Sequence, residues 1–414
     1  MKSGSIVSNV SLNTFGVFFY FFCQWAMTVV VTRLAGFEVA GSFLLAIAFS
    51  NIFAFIGLFG VRGYQICDVR EQFSNGEYVA SRILSMGASL VPFAVVLYIN
   101  SYDRATTLAC IAFMLFKLLE GLSDIFLGIM QRANHYTWLA VSYTLKGALT
   151  LAAFTLLLLA GQSLFVAILG MAVVYLPVLL LHDAVRLRHL GAFALHFGNL
   201  KTLYKACFPL MLHSLLLAVM VYLPRDAIAS LLGKAEVGYY GALAMVIVVF
   251  STLAGAVSSG INPAMSRMLA ANNTAGLRKL FRTMFFSVLA ASAAILILGK
   301  LLGPWVFGLL FGAEILPYMY MLTPVLISGV LLMCVSMFDG VFVALERRVL
   351  LLACNVVGTL FCWATVSTLT QNYGIFGANL SMIGGLGLRL VLLGALSLWL
   401  LRERFGVDVL KGQR

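Results

Sequence analysis

Twelve long apolar stretches, separated by short loops that alternate between Arg/Lys-rich and Arg/Lys-poor, constrain this chain more than anything else in it. A helix needs roughly 20 apolar residues to cross the ~30 Å hydrocarbon core of a bilayer, and these stretches have about that length. The spans read as 11–32, 39–61, 83–99, 105–129, 137–160, 164–182, 206–223, 237–262, 282–302, 318–343, 348–369 and 374–401. Leu301–Phe311 is too short to cross and reads as a re-entrant segment or an extension of the ninth helix. The composition agrees: with 62% hydrophobic and 10% charged residues, a soluble domain of 414 residues could not cover its surface. The alternating ten-residue segments of a membrane barrel do not appear. Ser11–Thr32 is longer than the apolar region of a signal peptide and has no small-residue cleavage site after it, so it reads as the first transmembrane helix. The expected fold class is an all-α polytopic membrane protein of about 12 transmembrane helices.

Basic residues set the orientation. With the N-terminus in the cytoplasm, about 19 Lys and Arg fall on the cytoplasmic side and 5 (Arg33, Arg104, Arg225, Lys234 and Lys300) on the other. Both termini are therefore expected in the cytoplasm of a bacterium, with the helices in its inner membrane. The net charge of +12 is mostly this topology signal and implies no nucleic-acid partner.

The two halves look related. Leu34 precedes Gly36-Phe37-Glu38-Val39-Ala40-Gly41 between helices 1 and 2, and Leu231 precedes Gly233-Lys234-Ala235-Glu236-Val237-Gly238 between helices 7 and 8. The offset of 197 residues is close to half the chain, so six helices are used twice. An even repeat keeps its membrane orientation, which implies an axis along the bilayer normal. The domains expected are an N-terminal six-helix lobe over 1–182, a cytoplasmic linker over 183–205, and a C-terminal six-helix lobe over 206–414 with a short tail. His182, His189 and His196 recur every seven residues, ~10.5 Å apart along a helix, too far to share a metal. That segment reads as interfacial, with Arg186 and Arg188 near anionic headgroups. The seven cysteines are scattered and lack CxxC spacing, so they read as packing residues.

Ionised side chains inside the bilayer cost at least ~2.5 kcal/mol each and need a reason. Helix 4 carries Lys117, Glu120 and Asp124 at spacings that put them on one face, with Gly121 and Gly128 beside them. Lys146 on helix 5 lies at nearly the depth of those carboxylates, and an internal pair with Glu120 or Asp124 is one reading. Arg389 on helix 12 follows three glycines, and Asp339 on helix 10 is its candidate partner; the alternative is a cavity-lining arginine. Arg225-Asp226 follows Pro224 at the outer end of helix 7, and Arg62 closes helix 2. A cavity rimmed by Lys117, Lys146 and Arg389, with Arg225 and Arg62, would suit an anionic ligand, because arginine matches phosphate oxygens bidentately. Glu120, Asp124, Asp339 and His213 are the candidates for ion coupling or ion pairing. The chain has no GxSxG, HExxH or Walker motif and no long extramembrane loop, which argues against an enzyme and against a bound cofactor or metal.

Local features also carry a family likeness. They are the polar Ser8-Asn9 start of helix 1, the Leu34/Gly36/Gly41 turn, and Phe59-Gly60 followed by Arg62. In the second half they are Pro224-Arg225, the run Leu232-Gly233 to Val237-Gly238-Tyr239-Tyr240, and Phe311-Gly312 ahead of Pro317-Tyr318. Over its whole length the chain resembles the polysaccharide flippases of the multidrug/oligosaccharidyl-lipid/polysaccharide exporter (MOP) superfamily, in particular the O-antigen (Wzx-type) group. The resemblance implies a V-shaped pair of lobes in alternating access, driven by an ion gradient. The cargo implied is a sugar repeat unit on undecaprenyl pyrophosphate, moved to the periplasmic leaflet among membrane lipids, with a glycan polymerase and a chain-length regulator as partners. Many relatives have an acidic residue just before the Phe-Gly of helix 2; here Leu58 stands there, so no coupling role carries over to it. The same fold would also serve a multidrug or organic-cation exporter or a lipid II flippase. A membrane-bound glycan polymerase or acyltransferase would need a larger outer loop than any drawn here.

Overall fold

The computed structural model describes residues 3–68, 71–190, 195–247, 273–345 and 347–405, with the single positions 250, 265, 268 and 271. Every regular element among them is helical. The first unit in sequence contains α1 (Ser3–Leu58), α2 (Val61–Cys67), α3 (Asn75–Asn100), α4 (Arg104–Arg132), α5 (Tyr136–Leu159), α6 (Leu164–Pro177) and α7 (Val185–His189). A π-helical turn, Val178–Ala184, carries α6 into α7. There follow α8 (Leu200–Leu231), α9 (234–247), α10 (Thr274–Phe311), α11 (Leu322–Ala344) and α12 (Arg348–Phe405), with a 3₁₀ stretch, Ala313–Met321, ahead of α11.

Eight helical runs among the described residues are long and apolar enough to cross a membrane. Two of them, Leu12–Leu58 and Arg348–Leu400, contain 47 and 53 residues, and at ~1.5 Å per residue each is long enough for two crossings. Each breaks at a glycine: Gly36 at φ 83°, ψ 171° and Gly374 at φ 61°, ψ −142°. α4, which carries Lys117, Glu120 and Asp124, is not among the eight. The chain is a multi-pass α-helical membrane protein whose helix order follows the twelve-span reading. Part of the eighth span and the greater part of 263–272 lie outside the described residues, as does the tail after 405, while 274–281, expected as loop, is the start of α10. The surface fits a lipid environment: Phe15, Val91, Val173, Leu301 and Trp363 are each more than three-fifths exposed.

Several span ends differ from the sequence reading. α3 begins at Asn75 instead of 83, because Ser74 and Glu77 close a reciprocal capping box at its start. The sixth run continues through the π-helical turn to His189, past the expected end at 182. α8 starts at Leu200 instead of 206, and Leu301–Phe311 is the end of α10.

The chain divides into two compact units, Met1–Ala218 and Val219–Arg414, with the boundary inside α8. In the first, α1 packs on α3, α4 and α5, and α6 packs on α4 and α5. Small residues let these helices approach closely: Gly16 faces the Ala140 backbone, and Gly147 faces Tyr20 and Cys23. In the second, α11 packs on α12 around Val335, Phe342, Leu351, Cys354, Leu393 and Leu400. The glycines that open the repeated G-x4-G motif share a left-handed backbone, Gly36 at φ 83° and Gly233 at φ 108°. A side chain would strain both, which explains why glycine stands at these two equivalent places.

A charged cavity inside the N-terminal unit

α4 turns its charged face inward. Lys117, Glu120 and Asp124, with Ser123 between the last two, line a cavity of about 370 Å³ together with Tyr20, Arg62, Tyr143 and Tyr175. Met86 and Gly121 meet at its wall, where a side chain on Gly121 would collide with the Met86 thioether.

Three ion-pair systems organise this region. In the first, Lys117 Nζ donates to Glu120 Oε2 at 2.6 Å, and Tyr20 Oη donates to Glu120 Oε1 at 2.6 Å. Gln24 donates to the same tyrosine oxygen at 3.2 Å. In the second, Asp124 is held from both sides: Arg62 Nη1 at 2.5 Å on one oxygen and Arg82 Nη2 at 3.0 Å on the other. Arg62 also donates to Tyr143 Oη at 3.0 Å and Gln131 Oε1 at 3.2 Å, while Arg82 reaches the Gly57 carbonyl at 3.3 Å. In the third, Lys146 pairs with Asp183 and contacts Ser123, and all three side chains are buried. Ser123 donates to Asp183 Oδ2 at 3.0 Å, and His182 Nδ1 lies 2.8 Å from Asp183 Oδ1. Lys146 also stands over the Tyr175 ring, 4.8 Å from its centroid.

Three expectations drawn from the sequence are corrected here. Lys146 pairs with neither Glu120 nor Asp124; its carboxylate is Asp183, which had been assigned to the interlobe linker. Arg82, left just outside the span expected at 83–99, lies within α3 and is fully buried against Asp124. Arg389 is fully buried and donates to Asp339 Oδ1 at 2.6 Å, so it does not line a cavity here. Arg389 and Asp339, the candidate pair of the sequence reading, meet because α11 and α12 pack side by side.

The remaining candidates stand apart from the charged cavity. Arg225 is half-buried on α8 with its Nε lacking a hydrogen-bond acceptor, and Asp226 accepts from Tyr222 Oη at 2.7 Å. His213, also on α8, is half-buried and is not among the cavity's lining residues. Sequence reasoning found Lys117, Glu120, Asp124, Arg62 and Lys146 but missed Tyr20, Arg82, Tyr143 and Asp183 as their partners.

Known proteins place this arrangement in context. The chain superposes on an inward-facing multidrug-resistance MATE transporter of the MOP superfamily with a TM-score of 0.72 and 14% identity, covering 98% of this chain and 100% of that one. The chain shares the fold of that transporter. The lipid II flippase MurJ in an inward closed conformation gives the same TM-score of 0.72 at 14% identity, over 96% of this chain and 90% of MurJ. A mutant form of the Vibrio cholerae MATE transporter VcmN gives 0.65 at 14% identity, over 96% of each chain. In sequence, the chain is 26% identical over 298 residues to the capsular polysaccharide biosynthesis protein CapF of Staphylococcus aureus, spanning 70% of this chain and 74% of CapF. No family model matches the chain. In this chain the shared fold holds, within its N-terminal unit, a cavity lined by ionisable side chains.

Proposed function

We propose that this protein is a flippase for a lipid-linked oligosaccharide, carrying an undecaprenyl-pyrophosphate-bound repeat unit from the cytoplasmic to the periplasmic leaflet of the bacterial inner membrane. The observation that carries the reading is the charge of the N-terminal cavity region. Four cations, Arg62, Arg82, Lys117 and Lys146, face three carboxylates, Glu120, Asp124 and Asp183. A cationic excess in a low-dielectric site favours an anionic headgroup over the cationic drugs that a multidrug exporter would carry. The likeness to a capsular polysaccharide biosynthesis protein supports a glycan as the cargo's other half.

The physics of the task fits the fold. The polyprenyl tail stays in the bilayer, while pyrophosphate and sugars cross through a polar interior that alternates its access between leaflets. Two six-helix lobes, one per half of the chain, are the moving parts in this reading, with both termini cytoplasmic and an ion gradient as the energy source. Arg62 and Lys117 are the cavity-lining cations offered to the pyrophosphate. Glycan polymerase and chain-length regulator are the partners the assignment entails.

Deleting the gene and analysing surface glycan and lipid-linked intermediates tests this reading. The expected result is loss of the surface glycan with lipid-linked repeat units accumulating on the cytoplasmic leaflet, reversed by the wild-type gene. Normal surface glycan together with sensitivity to cationic drugs would instead assign a drug exporter.

A further inference from the structure

Arg62 reaches the cavity from α2, a helix of only 7 residues with little of its own to hold it in place. Gln65, one turn further along, is fully buried against Gly128 of α4, yet neither polar atom of its amide has a hydrogen-bond partner among the described residues. At the start of α2 the backbone breaks away from α1 through two consecutive left-handed residues, Phe59 at φ 49° and Gly60 at φ 67°. Glycine takes that conformation freely. Phenylalanine does so at a cost, and keeps it only where its surroundings over-determine it.

Those surroundings come from α8. The Tyr204 ring meets the Phe59 ring edge-on, with centroids 4.8 Å apart and planes at 66°, and the Phe208 ring flanks it at 6.4 Å. Gly60 lies so close to α8 that a Cβ on it would stand 2.8 Å from the Leu210 Cβ. Tyr204 also reaches α3: its hydroxyl donates to the Ser81 carbonyl at 2.7 Å, one residue ahead of Arg82. Arg82 and Ser85 in turn donate to the Gly57 carbonyl, two residues before Phe59, at 3.3 Å and 2.5 Å. One side chain thus contacts residues just ahead of both arginines that grip Asp124.

We infer that Tyr204 is a positioning residue for the cavity: it holds the break between α1 and α2 in its left-handed form and so aims Arg62 at Asp124. Without it Phe59 returns to a helical φ, α2 rotates, and Arg62 leaves a carboxylate that Arg82 alone then holds. Arg62 itself bonds to Asp124, Tyr143 and Gln131 and not to Tyr204, so the influence runs through the break. This role is independent of what the cavity carries. α8 continues past Ala218 into the second unit, so the residue that sets this arginine stands on the helix common to both units.

The test is a double-mutant cycle on the melting temperature of the purified full chain in detergent. Arg62→Ala should lower the melting temperature of the wild-type chain, because it strips Asp124 of a partner. In a Tyr204→Ala chain, where Arg62 already points away, the further loss from Arg62→Ala should be less than about half as large. Tyr204→Phe keeps the ring against Phe59 and should restore the full Arg62 effect, losing only the bond to Ser81. Tyr204→Ala combined with Phe59→Gly should restore it too, because glycine holds the break without support.

Equal losses from Arg62→Ala in the wild-type and Tyr204→Ala chains overturn the inference. So does an Arg62 effect that stays as small with glycine at position 59 as in Tyr204→Ala alone, since removing both rings would then only add to a packing defect. Should Tyr204→Ala fail to fold, Phe59→Gly in that chain decides: recovery of folded protein supports the positioning role, and continued failure overturns it.

Discussion

Lys146 on α5 and Asp183 in the π-helical turn after α6 form a fully buried ion pair, with Ser123 of α4 bonded to the same carboxylate oxygen. The pair ties three helices together at one point, and its two charges sit where water cannot screen them. Removing one partner leaves the other bare, at a cost of about 3–5 kcal/mol. Lys146→Ala should therefore lower membrane protein level and melting temperature in detergent. Lys146→Ala with Asp183→Ala should recover most of both. Adding Glu120→Ala to Lys146→Ala should not, since Glu120 is satisfied by Lys117 and Tyr20. Recovery by Glu120→Ala would show that the lysine serves the wrong carboxylate in this account.

The pair between Arg389 and Asp339 predicts the same pattern in the second unit. Arg389 donates through Nη2, while Nε and Nη1 have no hydrogen-bond acceptor, so one carboxylate carries the whole compensation. Arg389→Ala and Asp339→Ala should each reduce protein level several-fold, and the double variant should stand closer to wild type than either. Surface-glycan complementation divided by protein level should stay constant across the set. A fall in export at normal protein level for Arg389→Ala would put this arginine on the cargo path.

Orientation is open to direct measurement. Glu71 lies in the loop between α2 and α3, expected in the cytoplasm, and Gln162 lies between α5 and α6, expected outside; both are exposed. In a variant without native cysteines, Gln162→Cys should react in intact cells with a membrane-impermeant maleimide, and Glu71→Cys only after lysis. The reverse pattern would invert the topology and the assigned direction of transport.

Most of the fold was legible because hydropathy reports directly on lipid-facing helices, and the bilayer leaves few alternatives to them. The partners of the charged residues were harder to see. Arg82 and Asp183 lie just beyond the apolar windows 83–99 and 164–182, since a charge ends such a window even when the helix continues. One signal was present: Ser74-x-x-Glu77 is a capping-box pattern, and it places Arg82 two turns inside α3. Asp183 had no comparable mark. Its position depends on the π-helical turn, whose wider spacing rotates the helix so that Asp183 meets Lys146. Lys117, Glu120 and Asp124 could be placed on one face from spacing alone because they are neighbours on one helix. Pairing across helices depends on rotation and depth, which hydropathy does not encode.

The loop after α2 makes its own pH prediction. Asp68 is buried, which raises its pKa, but the Gln72 amide at 3.0 Å, the Tyr78 hydroxyl at 2.8 Å and the Phe73 amide at 3.2 Å all donate to it. The hydrogen bonds prevail and hold the carboxyl below its ordinary range. A group whose pKa is depressed by folding contributes stability above its unfolded pKa and loses it as pH falls through the folded value. Asp68→Asn keeps the shape, weakens acceptance by removing the charge, and should cost about 1–2 kcal/mol at neutral pH. Melting temperature in detergent should therefore be lower for Asp68→Asn at neutral pH, with the gap to wild type closing below about pH 4. A gap of constant size down to acid pH would mean that the ionised carboxylate contributes nothing, and that the loop is held by its backbone turn and the packing of Phe73 against Tyr78.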